Sequence, residues 1–134
     1  MGSRILLISS VVFLLVLAGC RESASPTPTS AASQTVTVEL VTMEPSAPII
    51  GAAVLNFRVL DAGQAVMGAE VSVRGDMTHA GMAPVEAVGE TDMDGIARIP
   101  FEWTMGGDWS LTVTATLPEG STVEVVVDLA VASS

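Results

Sequence analysis

The chain has 134 residues, with 15 acidic side chains, five arginines, no lysine and a formal net charge of −10. So acidic a surface repels phosphate backbones and anionic lipid headgroups, which argues against nucleic-acid binding and against a polybasic membrane contact. A domain of about 100 residues buries enough surface to be stable without disulfides. That size suits a chain whose only cysteine is Cys20.

The N-terminal segment has the three features of a secretion signal. Arg4 precedes an apolar run over residues 5–17, and small residues lead to Cys20. This run is too short for a transmembrane helix, which needs about 20 apolar residues, and it fits the apolar region of a signal peptide. The tetrad at residues 17–20 resembles the bacterial lipobox, which implies cleavage before Cys20 and thioether lipidation of its sulfur. We therefore predict a lipoprotein signal peptide over residues 1–19.

Residues 20–34 are predicted to be the lipidated N-terminus followed by a flexible tether. Residues 21–33 are rich in Ser, Thr, Ala and Pro and have almost no large apolar side chain. Such a composition cannot form a packed core, and its prolines favour extended conformations. The sequence thus predicts a membrane-anchored protein outside the cytoplasm, on the periplasmic side or the cell surface, with one folded domain over residues 35–134.

The folded part shows apolar and polar residues in alternation, with a period of two. The clearest cases are residues 108–117 and 122–131, which are joined by a hairpin turn at residues 118–121. Further strands are predicted at residues 35–44, 54–61, 69–74, 85–91 and 96–103. One-sided alternation is typical of antiparallel sheets with one buried face. About seven such strands predict an all-β fold, a small immunoglobulin-like antiparallel β-sandwich.

The segment Gly75–Val85 is predicted to be a loop that interrupts the strands, and it carries the only histidine. Met77, His79 and Met82 lie within six residues of one another. On an extended stretch Met77 and His79 point to the same face, and a bend nearby would return Met82 toward them. Thioether sulfur and imidazole nitrogen are ligands that suit Cu(I). We therefore predict a Cu(I) site at Met77, His79 and Met82.

Two neighbouring residues extend this hypothesis, and a competing interpretation stands beside it. Asp76 is a candidate hydrogen-bond partner for the second imidazole nitrogen. Met105 becomes a further soft ligand if the turn that carries it lies near the loop. The competing interpretation is that the methionines fill gaps in the core and that His79 is a hydrogen-bonded surface group. Trp103 and Trp109 are expected to pack in the core.

The tetrad Asp92–Gly95 is predicted to form a hairpin turn, with Gly95 at positive φ and the Asp94 side chain bonded locally. The acidic spacing of a calcium-binding EF-hand is missing. The chain also lacks a G-x-S-x-G elbow, a phosphate-binding loop and a paired-histidine zinc motif. We therefore expect a binding domain and not an enzyme.

The chain resembles the YtkA-like domain family, which also includes FixH-like proteins, over about residues 52–132. The resemblance lies in Gly68-Ala69-Glu70-Val71 before a strand, in the loop with Met77, His79 and Met82, and in the turn Met105-Gly106-Gly107-Asp108-Trp109. It implies a small extracytoplasmic β-sandwich, often lipid-anchored, in a family some of whose members are suspected to act in copper delivery or export. It does not imply catalysis.

Two functions are therefore expected from different classes. The first is a lipid-anchored accessory domain that binds Cu(I) for copper delivery or export. The alternative is a metal-free interaction module of the cell envelope, in which the loop and the edge strands contact an envelope protein. The membrane is the expected partner in both, through the lipid on Cys20.

Overall fold

The structure is a computed structural model, and it describes residues 35–133. The predicted signal peptide, the lipidation site Cys20 and the tether lie outside the described residues. Within the described range the chain forms eight strands and no helix. The strands are β1 Val36–Glu44, β2 Gly51–Asp61, β3 Gln64–Ala65, β4 Glu70–Met77, β5 Val85–Glu90, β6 Ile96–Trp103, β7 Gly107–Thr116 and β8 Thr122–Val131. Accordingly, none of the described residues belongs to a helix that could cross a membrane.

The strands form two antiparallel four-stranded sheets. In the first sheet β2 lies between β1 and β6, and β3 pairs with the end of β2. The second sheet has the order β5-β4-β7-β8. The predicted all-β sandwich is confirmed. Its additional strand, β3, has two residues, which is too short to show alternation in a sequence.

The core lies between the sheets and is built from the inward residues of the alternating pattern. Every second residue of β6 is buried from Ala97 to Trp103, as is every second residue of β7 from Trp109 to Ala115. Trp103 packs edge-on against Trp109, with ring centroids 5.3 Å apart, a geometry that aromatic pairs favour. The predicted core positions of both tryptophans are confirmed.

The strand connections define two ends of the sandwich. At the end that we call the tether pole, the described chain begins at Thr35, whose hydroxyl donates to Asp61. The opposite end, which we call the loop pole, holds the β4–β5 loop (residues 78–84) and the β6–β7 turn (residues 104–106). The end of β4 and the start of β7 lie side by side, since Met77 pairs with Trp109. The loop that follows β4 and the turn that precedes β7 are therefore at the same end. The soft donors of the predicted metal site therefore lie at the end farther from where the chain enters the domain.

Candidate metal site

Strand β4 extends further than the sequence predicts. Gly75 and Met77 pair with residues of β7, so the predicted loop over Gly75–Val85 is in fact restricted to residues 78–84. Glycine often ends a strand, but Gly75 lies within the ladder for a packing reason. A Cβ built on Gly75 would lie 2.7 Å from Cζ of Phe101. The core therefore requires glycine at this position in the middle of a strand.

Met77 is the last residue of β4 and points inward. Its side chain is half-buried and packs against the hydrophobic core. Its terminal carbon Cε lies 3.3 Å from the position that a Cβ on Gly107 would occupy. The Met77 thioether therefore lies beside the first residue of β7, immediately after the β6–β7 turn. Part of the competing interpretation holds here, because Met77 does contribute to packing.

His79 and Met82 lie in the loop beyond the strand. The chain bends at Thr78 and His79, so Met77 and His79 do not share an extended stretch and the condition for a shared face is not met. The His79 side chain is exposed, and Met82 is 40% exposed. Gly81 has φ of +90°, which gives the chain the bend that the sequence predicted. Neither His79 nor Met82 is used for core packing.

Asp76 is not placed to orient His79. Because side chains alternate along β4, Asp76 points to the outer face, where its carboxylate binds Arg74 at 2.9 Å and 3.3 Å. The Asp76 carboxylate raises the pKa of the Arg74 guanidinium by hydrogen bonding and by its charge, and Glu86 adds a smaller effect. The Asp76 carboxylate is thus paired with Arg74, and it accepts no hydrogen bond from His79, so the structure does not support the predicted Asp76–His79 pair.

The β6–β7 turn brings a fourth soft donor to the loop pole. Met105 lies in this turn and is 46% exposed. The Trp109 indole N–H donates to the carbonyl of Met105 at 3.0 Å, which holds the turn against the core. The backbone N–H of Thr78 donates to the carbonyl of Asp108 at 3.3 Å, which ties the loop to the same segment. The structure thus brings the turn that carries Met105 to the same end of the sandwich as the β4–β5 loop.

The described part of the chain contains no cluster of the side chains that most often bind metal ions in proteins. No group of three or more His, Cys, Asp or Glu side chains in residues 35–133 is arranged to hold a metal ion.

In the predicted hairpin turn, the Asp92 carboxylate accepts N–H groups from Asp94 and Ile96 at 2.9 Å and 3.0 Å. Gly95 has φ of +73°, as predicted, but Asp92 and not Asp94 makes the local bonds.

Sequence reasoning missed two exposed methionines at the other end of the domain. Met67 is 62% exposed and Met93 is 81% exposed. Both lie at the tether pole, where the N–H of Gly68 donates to the carbonyl of Thr91 and links their two segments. No signal in the sequence marks them, because each stands alone among turn residues. They provide an internal comparison for the methionines at the loop pole.

Fold and site together define a small β-sandwich domain whose loop pole carries thioether side chains together with the only histidine of the chain. The sequence model of the YtkA-like family matches residues 30–114, and the chain belongs to this family. The match begins before β1 and ends within β7, whereas the resemblance seen in the sequence ran from about residue 52 to residue 132. Family membership fits the expectation of a small accessory domain.

Among solved structures, the chain is similar to the crystal structure of the PmoD soluble domain from Methylocystis sp. ATCC 49242 (Rockwell). The two chains share 13% sequence identity and superpose with a TM-score of 0.41. The similarity covers 72% of this chain and 88% of the PmoD chain. No curated protein matches the chain.

Proposed function

We propose that this protein is a lipid-anchored extracytoplasmic accessory domain that binds Cu(I) at the loop pole for copper delivery or export. The ligands come from Met77, His79 and Met82 in and beside the β4–β5 loop, with Met105 as a fourth donor. In this proposal copper is cargo, and the protein catalyses no reaction. The lipid on Cys20 holds it at the membrane.

The observation that carries the proposal is that three thioethers, those of Met77, Met82 and Met105, lie at the same end of the sandwich as the only histidine of the chain. Methionine that serves packing is buried, yet Met82 is 40% exposed and Met105 is 46% exposed. The hydrogen bond from Thr78 to Asp108 joins the start of the loop to the start of β7, which follows the turn. Exposed thioethers on two connections, at the same end of the domain as the only imidazole of the chain, favour a ligand over packing as their role.

The chemistry of the donors selects the ion. Thioether sulfur is a soft ligand that binds Cu(I) well and binds Mg²⁺ or Ca²⁺ poorly, since those ions prefer oxygen. Outside the cytoplasm a free thiol is prone to oxidation, so methionine is a suitable soft ligand there. Ligands on two loops also leave the ion accessible to a partner, which suits transfer better than storage.

An anaerobic competition titration with a chromogenic Cu(I) chelator tests the proposal. The full-length protein in detergent should bind one Cu(I) per chain. His79→Ala combined with Met82→Ala should abolish this binding, and both side chains are exposed, so the fold should be unchanged. Met77→Leu should weaken binding while preserving the packing of this half-buried side chain.

The matched control is the double variant Met67→Ala and Met93→Ala at the tether pole. It removes two thioethers that are more exposed than those of the loop pole, and it should leave Cu(I) binding unchanged. Equal losses in the two double variants would mean that methionines bind copper nonspecifically. No binding by the unaltered chain would favour the metal-free interaction module instead.

A further inference from the structure

The sandwich has four sheet edges, and three of them are protected against pairing with another chain. Strand β1 has a register shift between Leu40 and Thr42, which disrupts its edge. Strand β6 carries Pro100, which has no N–H to donate. Strand β5 closes against β6, because a Cβ on Gly89 would lie only 2.9 Å from Ile99. Bulges, prolines and covered edges are the devices that prevent edge-to-edge association.

Strand β8 has no bulge and no proline, and no strand is hydrogen-bonded to its outer edge over residues 122–131, although β1 of the other sheet lies near it. It pairs with β7 without a register shift over ten residues, Thr122–Val131, and contains no proline, glycine or lysine. Its other edge pairs with no strand among residues 35–133. A long, regular and largely apolar edge of this kind is a template for strand addition.

The hydrogen bonds at the two ends of β8 show which of its residues direct their backbone N–H and C=O groups to the free edge. At one end the N–H of Leu117 donates to the carbonyl of Ser121, so odd-numbered residues bond across the β7–β8 hairpin. At the other end Ala132 donates to Pro48 and accepts from Ile50, on the side away from β7. Even-numbered residues of β8 therefore direct their N–H and C=O groups to the free edge. These residues are Glu124, Val126, Asp128 and Ala130.

The bridge at Ala132 also shows that a strand can pair on this side. Residues 48–50 lie parallel to the end of β8 there and form two backbone hydrogen bonds, at 2.9 Å and 3.1 Å. These bonds stop at Ile50, where the chain turns into β2. The rest of the edge, from Thr122 to Val131, has the same groups and stays free.

The side chains of β8 indicate what kind of strand fits the edge. The inward residues Val125, Val127 and Leu129 pack against the core but are only half-buried. On the outer face Val126 is 58% exposed and lies between the exposed acidic residues Glu124 and Asp128. A strand added here would place apolar side chains beside the inward row and basic side chains beside the two carboxylates.

We propose that the free edge of β8 binds an extended segment of a protein partner, in which apolar side chains alternate with basic ones. This inference is independent of copper binding. A second copy of the chain is a poor occupant. Antiparallel pairing centred on Val126 would place Glu124 of each copy directly opposite Asp128 of the other, which gives two repulsive pairs. Each copy also carries a net charge of −10. Opposite charge in the partner removes this repulsion.

A pair of short synthetic peptides tests the proposal on the full-length protein in detergent. One peptide alternates valine with lysine, and the other alternates valine with glutamate. The lysine peptide should bind and slow hydrogen exchange at the amides of Val126 and Asp128, while the glutamate peptide should bind about tenfold more weakly or not at all. Protection of β1 or β5 in place of β8 would overturn the proposal, as would equal binding of the two peptides.

Two variants separate strand addition from general attraction to an acidic protein. Val126→Pro removes a free-edge N–H without removing a bond to β7, so it should weaken the lysine peptide about tenfold. Val126→Thr is the matched control, since it keeps the N–H and a β-branched side chain, and it should bind like the unaltered chain. Equal binding by the proline and threonine variants would refute the proposal.

Charge reversal tests whether the peptides bind at the free edge of β8 even if the proline variant fails to fold. Glu124→Lys combined with Asp128→Lys alters only exposed side chains and should reverse the preference between the two peptides. An unchanged preference would place the binding elsewhere on the surface. Failure of both peptides to bind, with a dimer in sedimentation that Val126→Pro dissociates, would show that the occupant is a second copy.

Discussion

Replacing Gly75 with alanine tests how tightly the two sheets are packed beneath the loop pole. Gly75 lies on the inward face of β4, and its φ is not in the left-handed region. A Cβ there would lie 2.7 Å from Cζ of Phe101, 3.1 Å from Cδ2 of Leu111 and 3.2 Å from Cε3 of Trp109. All three groups are parts of buried side chains, and two belong to rigid rings, so little room is available for adjustment.

Whether Gly75→Ala raises or lowers the free energy of unfolding distinguishes crowding in the core from the entropy of the unfolded backbone. In an uncrowded strand, glycine to alanine should stabilise the folded state by about 0.5–1 kcal/mol. Overpacking a core costs about 1–3 kcal/mol. The contact at 2.7 Å places Gly75→Ala at the upper part of that range, so we expect a net loss of about 2 kcal/mol. For a domain of this size, that loss lowers Tm by roughly 8–16 °C.

Thermal and urea unfolding of the full-length chain, followed by tryptophan fluorescence, measures this loss. The buried residues Trp103 and Trp109 are the only tryptophans, so both report on the core. In a Phe101→Leu background, where the nearest ring atom is gone, Gly75→Ala should cost about 1 kcal/mol less. Ser72→Ala, on the outer face of the same strand, removes a 3.4 Å hydrogen bond to the Thr114 carbonyl and should cost no more than about 1 kcal/mol.

Either of two results would refute this account of Gly75. One is a Gly75→Ala variant as stable as the original chain or more stable, which would mean that the sheets lie further apart than described. The other is an equal cost with and without Phe101→Leu, which would mean that the loss does not come from contact with the ring.

Three further substitutions test the turns and the core. Thr91→Val leaves the buried N–H of Ala69 without the hydroxyl acceptor at 2.8 Å and should cost about 1–3 kcal/mol, whereas Thr91→Ser should retain most of the stability in urea unfolding. Gly95 and Gly120 both have positive φ, +73° and +96°, but a Cβ on Gly95 would lie 2.7 Å from a carbonyl oxygen of β2, whereas a Cβ on Gly120 would meet only open space. Gly95→Ala should therefore lower Tm more than Gly120→Ala, and equal shifts in Tm would refute the close contact at Gly95. Trp109→Phe removes the hydrogen bond that holds the β6–β7 turn and should speed amide exchange there, and unchanged exchange would show that the bond is dispensable.

The strands could be predicted from the sequence because one face of each is buried. Residues 122–131 have an apolar side chain at every second position from Val123 to Val131, and β8 has these bounds. The end of β4 was predicted too early, since Gly75 looks like a strand breaker until the ring of Phe101 is placed opposite it. That contact joins residues of different sheets, and the sequence carries no local trace of it.

The candidate site was only partly predictable for the same reason. Residue types identified Met77, His79 and Met82, but the place of Met105 depends on the register of β4 against β7. Asp76 was assigned to His79 because the two are close in sequence. Alternation along β4 instead directs Asp76 to the outer face, where Arg74 binds it.

X-ray absorption at the copper K edge tests the copper proposal most directly, because it identifies the ligand atoms. For the full-length chain loaded with one equivalent of Cu(I), the proposal predicts a first shell dominated by sulfur, with a nitrogen from His79. The sulfur contribution should fall in Met82→Leu and in Met105→Leu and stay unchanged in the Met67→Leu and Met93→Leu double variant. A shell of nitrogen and oxygen alone, or a sulfur contribution that the loop-pole variants leave intact, would contradict it.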